Sequence, residues 1–506
     1  MGQRQDRRPA RRRDRQGAGT AQVSKIVQPV NRLPIYDLLD EEGVQLIHQK
    51  SLEILRDIGI AFLDDEAQSI LKTHGVKVQD NIAYFDPDLI LSYVRKAPAQ
   101  FIQLARNPER NVIVGGHHQI FAPVYGPPFV VDSDQGRREA TLKDFDNFVK
   151  LAYLSPYMHH SGGTIVEPTD EHTDTRHLDM VFSHIRHSDK PFMGSVTSGQ
   201  NAADSVAMAE ILFGKEEIRQ NPALISLINV SSPRRLDDRM LGALMVYARA
   251  RQAMILSPFV LSGAMAPVSI AGTVIQLNAE ALATIAFAQM VEAGTPIVYG
   301  AFQSTIDLQS GAPVFGAPES QLALFASAQM ARFYGVPFRS GGMFASSKIA
   351  DSQAAYESVM AMYPVMQAHV NFVLHAAGWL EGGLSAGYEK FVMDCELLGM
   401  YHTFAQGIDL SDEALAMESI ALVEPGGHHL GTPHTMRHFR SAFYRAELFD
   451  YNSAEQWQIE GSLTAMQRAN AKYKQLLKAY ERPALDPGIE EALRDYMARR
   501  KLALRG

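Results

Sequence analysis

Between residues 119 and 378, short apolar runs alternate with longer segments whose apolar positions recur every three to four residues. The short runs are QIFAPVY (119–125), MHHSGGTIV (158–166), PFMGSVT (191–197), ALISLINV (223–230), AMILSPFVL (253–261), PIVYGAF (296–302), VPFRSGG (336–342) and VNFVLHAAG (370–378). Bounded by Gly, Pro and Ser, such runs predict buried strands. The segments between them predict helices, among them LKDFDNFVKLAY (142–153), DDRMLGALMVYARARQ (237–252) and PESQLALFASAQMARFYG (318–335). The last carries Pro318 and Glu319 at its start and Gly335 at its end, the residues that favour a first turn and a stop. Strand then helix, eight times, is the repeat of a (β/α)8 TIM barrel with right-handed crossovers. A doubly wound open sheet shares this rhythm, but no G-x-G-x-x-G turn follows the first strand to favour it.

The flanks follow other patterns. Residues 31–118 are expected to be a mainly helical prelude: Val44, Ile47, Leu52 and Leu55 recur with helical spacing, and DIGI ends that helix before a strand-like AFLD. The barrel is expected over 119–405 and a charged helical extension over 406–506, closing in EEALRDYMARRKLALRG. Residues 1–30 form a basic tail in which Arg4, Arg7, Arg8, Arg11, Arg12, Arg13 and Arg15 are opposed by Asp6 and Asp14 alone. The tail reads as a solvated arm or as a docking arm, and no aromatic residues are interleaved to favour nucleic acid.

Composition narrows the function classes. The 506 residues are 46% apolar and 21% charged, a globular balance, and the net charge of -8 argues against general attraction to nucleic acid or anionic membranes. Cys395 is the single cysteine, which removes an intrachain disulfide framework and any cysteine-rich zinc site and makes the reducing cytoplasm the expected compartment. The basic start lacks the apolar stretch of a secretory signal. No charged residue stands between Arg251 and Glu280, but Ser257, Pro258, Gly263, Pro267 and Gly272 interrupt that stretch. A buried strand, a loop and a helix start are expected there, and no membrane span.

In a TIM barrel, chemistry sits where strands end and loops begin. These ends are rich in Gly, Ser and aromatic residues, and nearly free of acids apart from Glu167 and Glu381. Paired glycosidase carboxylates or a magnesium cluster are therefore not expected. Such a mouth suits a ligand held by shape and ring faces, such as a methylated ammonium, with Tyr125, Phe129, Tyr299, Phe302, Phe344 and Trp379 as candidate aromatics. Histidines carry a competing reading: His434 and His438 could share a helix face as a two-histidine metal pair. No Glu or Cys stands beside them in GGHHLGTPHTMRHFR, so no resident metal is expected.

Long segments then resemble a known family: LSGAMAPVSIAGTVIQLNAEALA (261–283), GTPIVYGAFQSTIDLQSGAPVFGAPE (294–319), YGVPFRSGGMFASSKIADSQAAYES (334–358), HAAGWLEGGLSAGYEKFVMD (375–394) and HTMRHFR (434–440). Over about residues 40 to 450 the chain is similar to the corrinoid-dependent trimethylamine methyltransferase family, in its branch without pyrrolysine, to which glycine betaine methyltransferases belong. The resemblance implies a TIM-barrel enzyme of one-carbon metabolism that moves a methyl group from a methylated amine to the Co(I) of a separate corrinoid protein. No D-x-H-x-x-G cobalt-ligand hexapeptide occurs in this chain, so the corrinoid is expected on a partner. Archaeal trimethylamine enzymes carry pyrrolysine in the segment matching Arg339 to Lys348, where SGGMFASSK has only standard residues. That points to a quaternary amine such as glycine betaine, whose nitrogen is already positive. The expected substrate-binding residues are Tyr125, Phe129, Tyr299, Gln303, Arg339, Met343, Phe344, His375, Trp379 and Glu381, with Tyr299 and Phe344 in the ammonium cage and Arg339 or His375 on a substrate carboxylate. A homo-oligomer is expected. A metal-dependent hydrolase on the same barrel and a non-enzymatic quaternary-amine sensor are the alternatives.

Overall fold

The computed structural model describes residues 27–505, so nearly all of the basic tail lies outside the described residues. Seven strands form the parallel body of a nine-stranded sheet: β1 (Ile120–Phe121), β2 (Phe192–Met193), β3 (Leu224–Val230), β4 (Ala253–Ser262), β5 (Ile297–Gly300), β6 (Phe338–Gly341) and β7 (Phe372–Leu374). Their order is β2-β3-β4-β5-β6-β7-β1, so each strand lies beside its neighbour in sequence and the last returns to the first. Seven of the eight apolar runs thus supply strands.

The remaining run, 158–166, does not become a strand. Its Ser-Gly-Gly centre is the physical reason, with Gly162 at φ +97, outside the range of an extended L-residue. It nevertheless lies between the two sheet edges. His159 and His160 donate backbone N–H bonds to the carbonyl of Phe121 (3.1 and 3.3 Å), Ser161 donates to Pro191 (2.8 Å), and Met193 donates back to Gly162 (2.8 Å).

A helix follows each run, and the expected boundaries hold closely: Leu142–Leu154, Asp238–Arg249 and Pro318–Tyr334. Thr141 and Asp144 form a reciprocal capping box on the first, Asp237 caps the second, and Gly335 ends the third in the left-handed region at φ 70. The charge-free stretch becomes β4, a loop and the helix Ile270–Val291. Among the described residues that is the one helix long and apolar enough to cross a membrane, and its apolar residues are mostly buried inside the fold.

Residues 31–118 carry short strands as well as the expected helices. The helices Glu41–Glu53, Asp65–Thr73 and Pro87–Val94 alternate with the strands Ile60–Phe62, Lys77–Gln79, Ile82–Tyr84, Gln100–Gln103 and Val112–Gly115. Strands of three or four residues are too short to show a two-residue period in sequence. The hairpin made by the last two plugs the sheet: Phe101, Val112 and Val114 pack with Ile120, Met193, Ile225, Leu227, Ala253, Ile255, Val298, Phe372 and Leu374 in one apolar cluster. Within that cluster Ile225 and Leu227, Ala253 and Ile255, and Phe372 and Leu374 are two apart, so one face of each strand points to a common interior.

Candidate active site

The same alternation, continued toward the strand ends, selects the site. After Ala253 and Ile255 the next inward position on β4 is Ser257, after Val298 on β5 it is Gly300, and Gly300 pairs in register with Arg339 on β6. A Cβ on Gly300 would stand 2.5 Å from that of Ser257, so glycine clears the space. Arg339 donates from Nη1 to Ser257 Oγ (3.1 Å) and faces His375 Nε2 with Nη2 (3.1 Å). His375 leaves β7 in a left-handed conformation at φ 63, and its Nδ1 accepts the backbone N–H of Tyr125 (3.2 Å). Tyr125, Arg339 and His375 therefore converge from the first, seventh and eighth repeats.

Arg339 is 1% exposed, and no carboxylate among the described residues pairs with it. Burial lowers its pKa from the usual guanidinium range to about 9. Burial, with the neighbouring guanidinium, pushes His375 well below the usual histidine range, so its ring is neutral at pH 7. A neutral imidazole carries one proton, yet both of its nitrogens face donors. One of those contacts stays unsatisfied, and Arg339 Nε has no partner among the described residues. The interior thus holds a cation short of acceptors, a costly arrangement that an anion would relieve.

Aromatic rings roof this cation. Phe302 lies with its ring centre 5.3 Å from the Arg339 guanidinium and packs against Phe259, Phe344 and Trp379 at 5.0, 5.2 and 6.1 Å. Trp379 stands edge-on to His375 (4.5 Å) and Phe344 (4.9 Å), and Phe315 closes on Phe344 (5.4 Å). Phe344 folds back over Gly341, where a Cβ would fall 1.6 Å from its ring. A narrow cavity beside these rings is lined by Phe302, Gln303, Phe315, Ser340 and Phe344. The buried Trp379 Nε1 and Gln303 Oε1 also lack partners among the described residues, so a donor and an acceptor are free near these rings.

The other expected residues fall elsewhere. Tyr299 pairs in register with Leu256 and Phe338 on the outward face of the sheet, and its hydroxyl donates to Asn278 Oδ1 (2.9 Å) on the helix Ile270–Val291. It is turned away from the rings because the two-residue period puts its neighbours Val298 and Gly300 inside. Met343 is fully buried and engaged through its backbone, donating to the His375 carbonyl (3.0 Å). Phe129 already carries the Arg137 guanidinium 3.6 Å above its ring, and Glu381 accepts from Arg137 Nε (2.8 Å) and Ser385 Oγ (2.5 Å). These last three form a rim unit. Sequence reasoning missed Ser257, Phe259 and Phe315; only the strand-end position of Ser257 could have marked it.

The trimethylamine methyltransferase family description matches residues 4–504. The chain belongs to that family. It is 45% identical over 469 residues to a glycine betaine methyltransferase of Desulfitobacterium hafniense (strain Y51), covering 92% of this chain and 98% of the relative. It is 27% identical over 479 residues to a proline betaine:corrinoid methyltransferase of Eubacterium limosum, with coverage of 92% and 98%. A trimethylamine methyltransferase of Desulfitobacterium hafniense (strain DSM 10664 / DCB-2) is 26% identical over 469 residues, with coverage of 90% and 92%. This family member is an enzyme, a methyltransferase.

Proposed function

We propose that this methyltransferase takes a methyl group from a carboxylated quaternary amine of the glycine betaine type and passes it to the cobalt of a corrinoid carried by a partner protein. The observation that carries the reading is Arg339, a buried cation without a carboxylate partner beneath a roof of aromatic rings. A betaine supplies both complements, a carboxylate for Arg339 and Trp379 Nε1, and an ammonium for ring faces. The higher identity to a glycine betaine enzyme than to a trimethylamine enzyme supports the same choice. The reading takes the sheet as a closed (β/α)8 barrel with residues 159–162 as its eighth stave, and their hydrogen bonds to Phe121, Pro191 and Met193 support it.

Reduced corrinoid cobalt supplies the nucleophile. The chain's own residues bind and align: Arg339, steadied by Ser257, holds the carboxylate, while Phe302, Phe344 and Trp379 surround the methylated nitrogen and keep water out. The breaking C–N bond leaves its electron pair on nitrogen, so the leaving amine is neutral and no side chain has to protonate it. Purified protein with glycine betaine is therefore expected to release dimethylglycine only when reduced corrinoid is added, followed by the visible spectrum of the methylated product. Steady turnover without corrinoid would contradict the reading.

The arginine sets a pH dependence. Its cation persists below about pH 9 and is lost as pH rises through that value, because burial has lowered the pKa. The KM for glycine betaine is expected to be flat below pH 9 and to climb by roughly tenfold per unit above it. A bound carboxylate stabilises the cation, so kcat stays level over the range in which KM climbs. Tetramethylammonium, with no anion to lose a partner, should show no such rise in steady-state assays.

A further inference from the structure

The histidine pair near the C-terminus gains from the fold what the sequence around it lacks. His434 and His438 lie one turn apart on the helix Pro433–His438, with ring centres 4.8 Å apart. Glu413, 21 residues before His434, comes from the short helix Asp412–Leu415, and the ligand atoms of all three side chains lie within 4.8 Å of one another. His438 Nε2 is 2.7 Å from Glu413 Oε1, and His434 Nε2 is 3.0 Å from the Glu413 carbonyl oxygen. Arg437 donates to the same Oε1 from Nη2 and Nε (2.9 and 3.2 Å). The His438 and Arg437 contacts thus converge on one carboxylate oxygen and leave Oε2 to a further partner.

We infer that Glu413, His434 and His438 form a binding site for one divalent transition-metal ion of the zinc type, independent of the methyl-transfer site. Two imidazoles and a carboxylate are a borderline donor set that suits zinc, and ligands at about 2.0 to 2.2 Å from an ion require only small side-chain rotations from this spacing. Three protein ligands leave a fourth position for water. Arg437 stays on Oε1 and orients the carboxylate from behind, as outer hydrogen bonds do at metal sites.

The surroundings give such an ion something to do. The helices Asp412–Leu415 and Pro433–His438 have no buried residues, and helices of four and six residues do not sustain themselves by propensity. Their remaining ties are small polar contacts, such as Ser419 Oγ with His429 Nδ1 and Thr432 Oγ1, both at 3.0 Å. A metal clamp would join two segments that no hydrophobic core joins.

The test uses the untagged full chain, freed of metal with a chelator and titrated with zinc ion by equilibrium dialysis with metal analysis. One equivalent is expected to bind at micromolar concentration, and cobalt(II) at the same site should give the visible absorption of a four-coordinate ion. Amide exchange over residues 411–440 should slow by at least tenfold on zinc addition. Glu413→Gln should weaken binding by tenfold or more, and His434→Ala/His438→Ala should abolish it. Glu413 is exposed and neither histidine is fully buried, so unchanged circular dichroism and melting of the metal-free variants are expected and separate ligand loss from misfolding. Absence of zinc binding in the parent chain, or equal binding by the double histidine variant, would overturn the inference and leave the methyl-transfer reading untouched.

Discussion

Arg339→Met is expected to lower kcat/KM for glycine betaine by about 30- to 5,000-fold, because a desolvated charge pair between protein and ligand is worth roughly 2 to 5 kcal/mol. The loss should fall on carboxylated substrates alone, with tetramethylammonium turned over within about threefold of the parent rate. Stability should not fall with it. The guanidinium is buried with Ser257 Oγ as its one unambiguous acceptor, so removing it relieves a desolvation cost rather than breaking an internal pair. Steady-state kinetics on both substrates, with melting curves of both proteins, check this. Equal losses for the two substrates would remove Arg339 from carboxylate binding.

Lys390→Met should produce the opposite pattern, a large stability loss with substrate preference retained. Lys390 Nζ meets both oxygens of Asp394 (2.6 and 2.5 Å) with both side chains buried, and it also reaches the Met343 carbonyl (3.4 Å). Asp394 in turn accepts the backbone N–H of Gly378 (2.9 Å). The pair therefore ties down the two loops that carry Phe344 and Trp379. Taking away the ammonium leaves a buried carboxylate, at a cost of about 3 to 5 kcal/mol. The double variant Lys390→Met/Asp394→Leu should recover a large part of that, since it buries no orphan charge. Denaturant unfolding of the three proteins measures both effects. A single variant as stable as the parent would show that the pair does not hold these loops.

The helices were legible because their ends are written in local chemistry, as at Pro318 and Gly335. The strands were legible as apolar runs, although MHHSGGTIV shows the limit: apolar enough to be read as a strand, it carries glycines that prevent one. Arg339, His375, Phe344 and Trp379 were expected from the few residues that end strands, and the structure places them side by side. Tyr299 came from the same reasoning and faces outward, since a run of mixed apolar residues does not disclose which of its two faces is the interior. Phe315 and Phe259 reach the rings from a hairpin and a strand extension whose path depends on the pairing of Phe302–Ile306 with β4. Glu413 was invisible beside its histidines because the turn that joins them is tertiary.

The central claim is that the methyl donor is a quaternary amine with a carboxylate. It is tested most directly by initial rates of methyl transfer to reduced corrinoid from glycine betaine, tetramethylammonium and trimethylamine under one set of conditions. The predicted order is glycine betaine well above tetramethylammonium, with no transfer from trimethylamine, whose nitrogen carries no fixed charge to make it a leaving group. Trimethylamine transferred as fast as glycine betaine would contradict it.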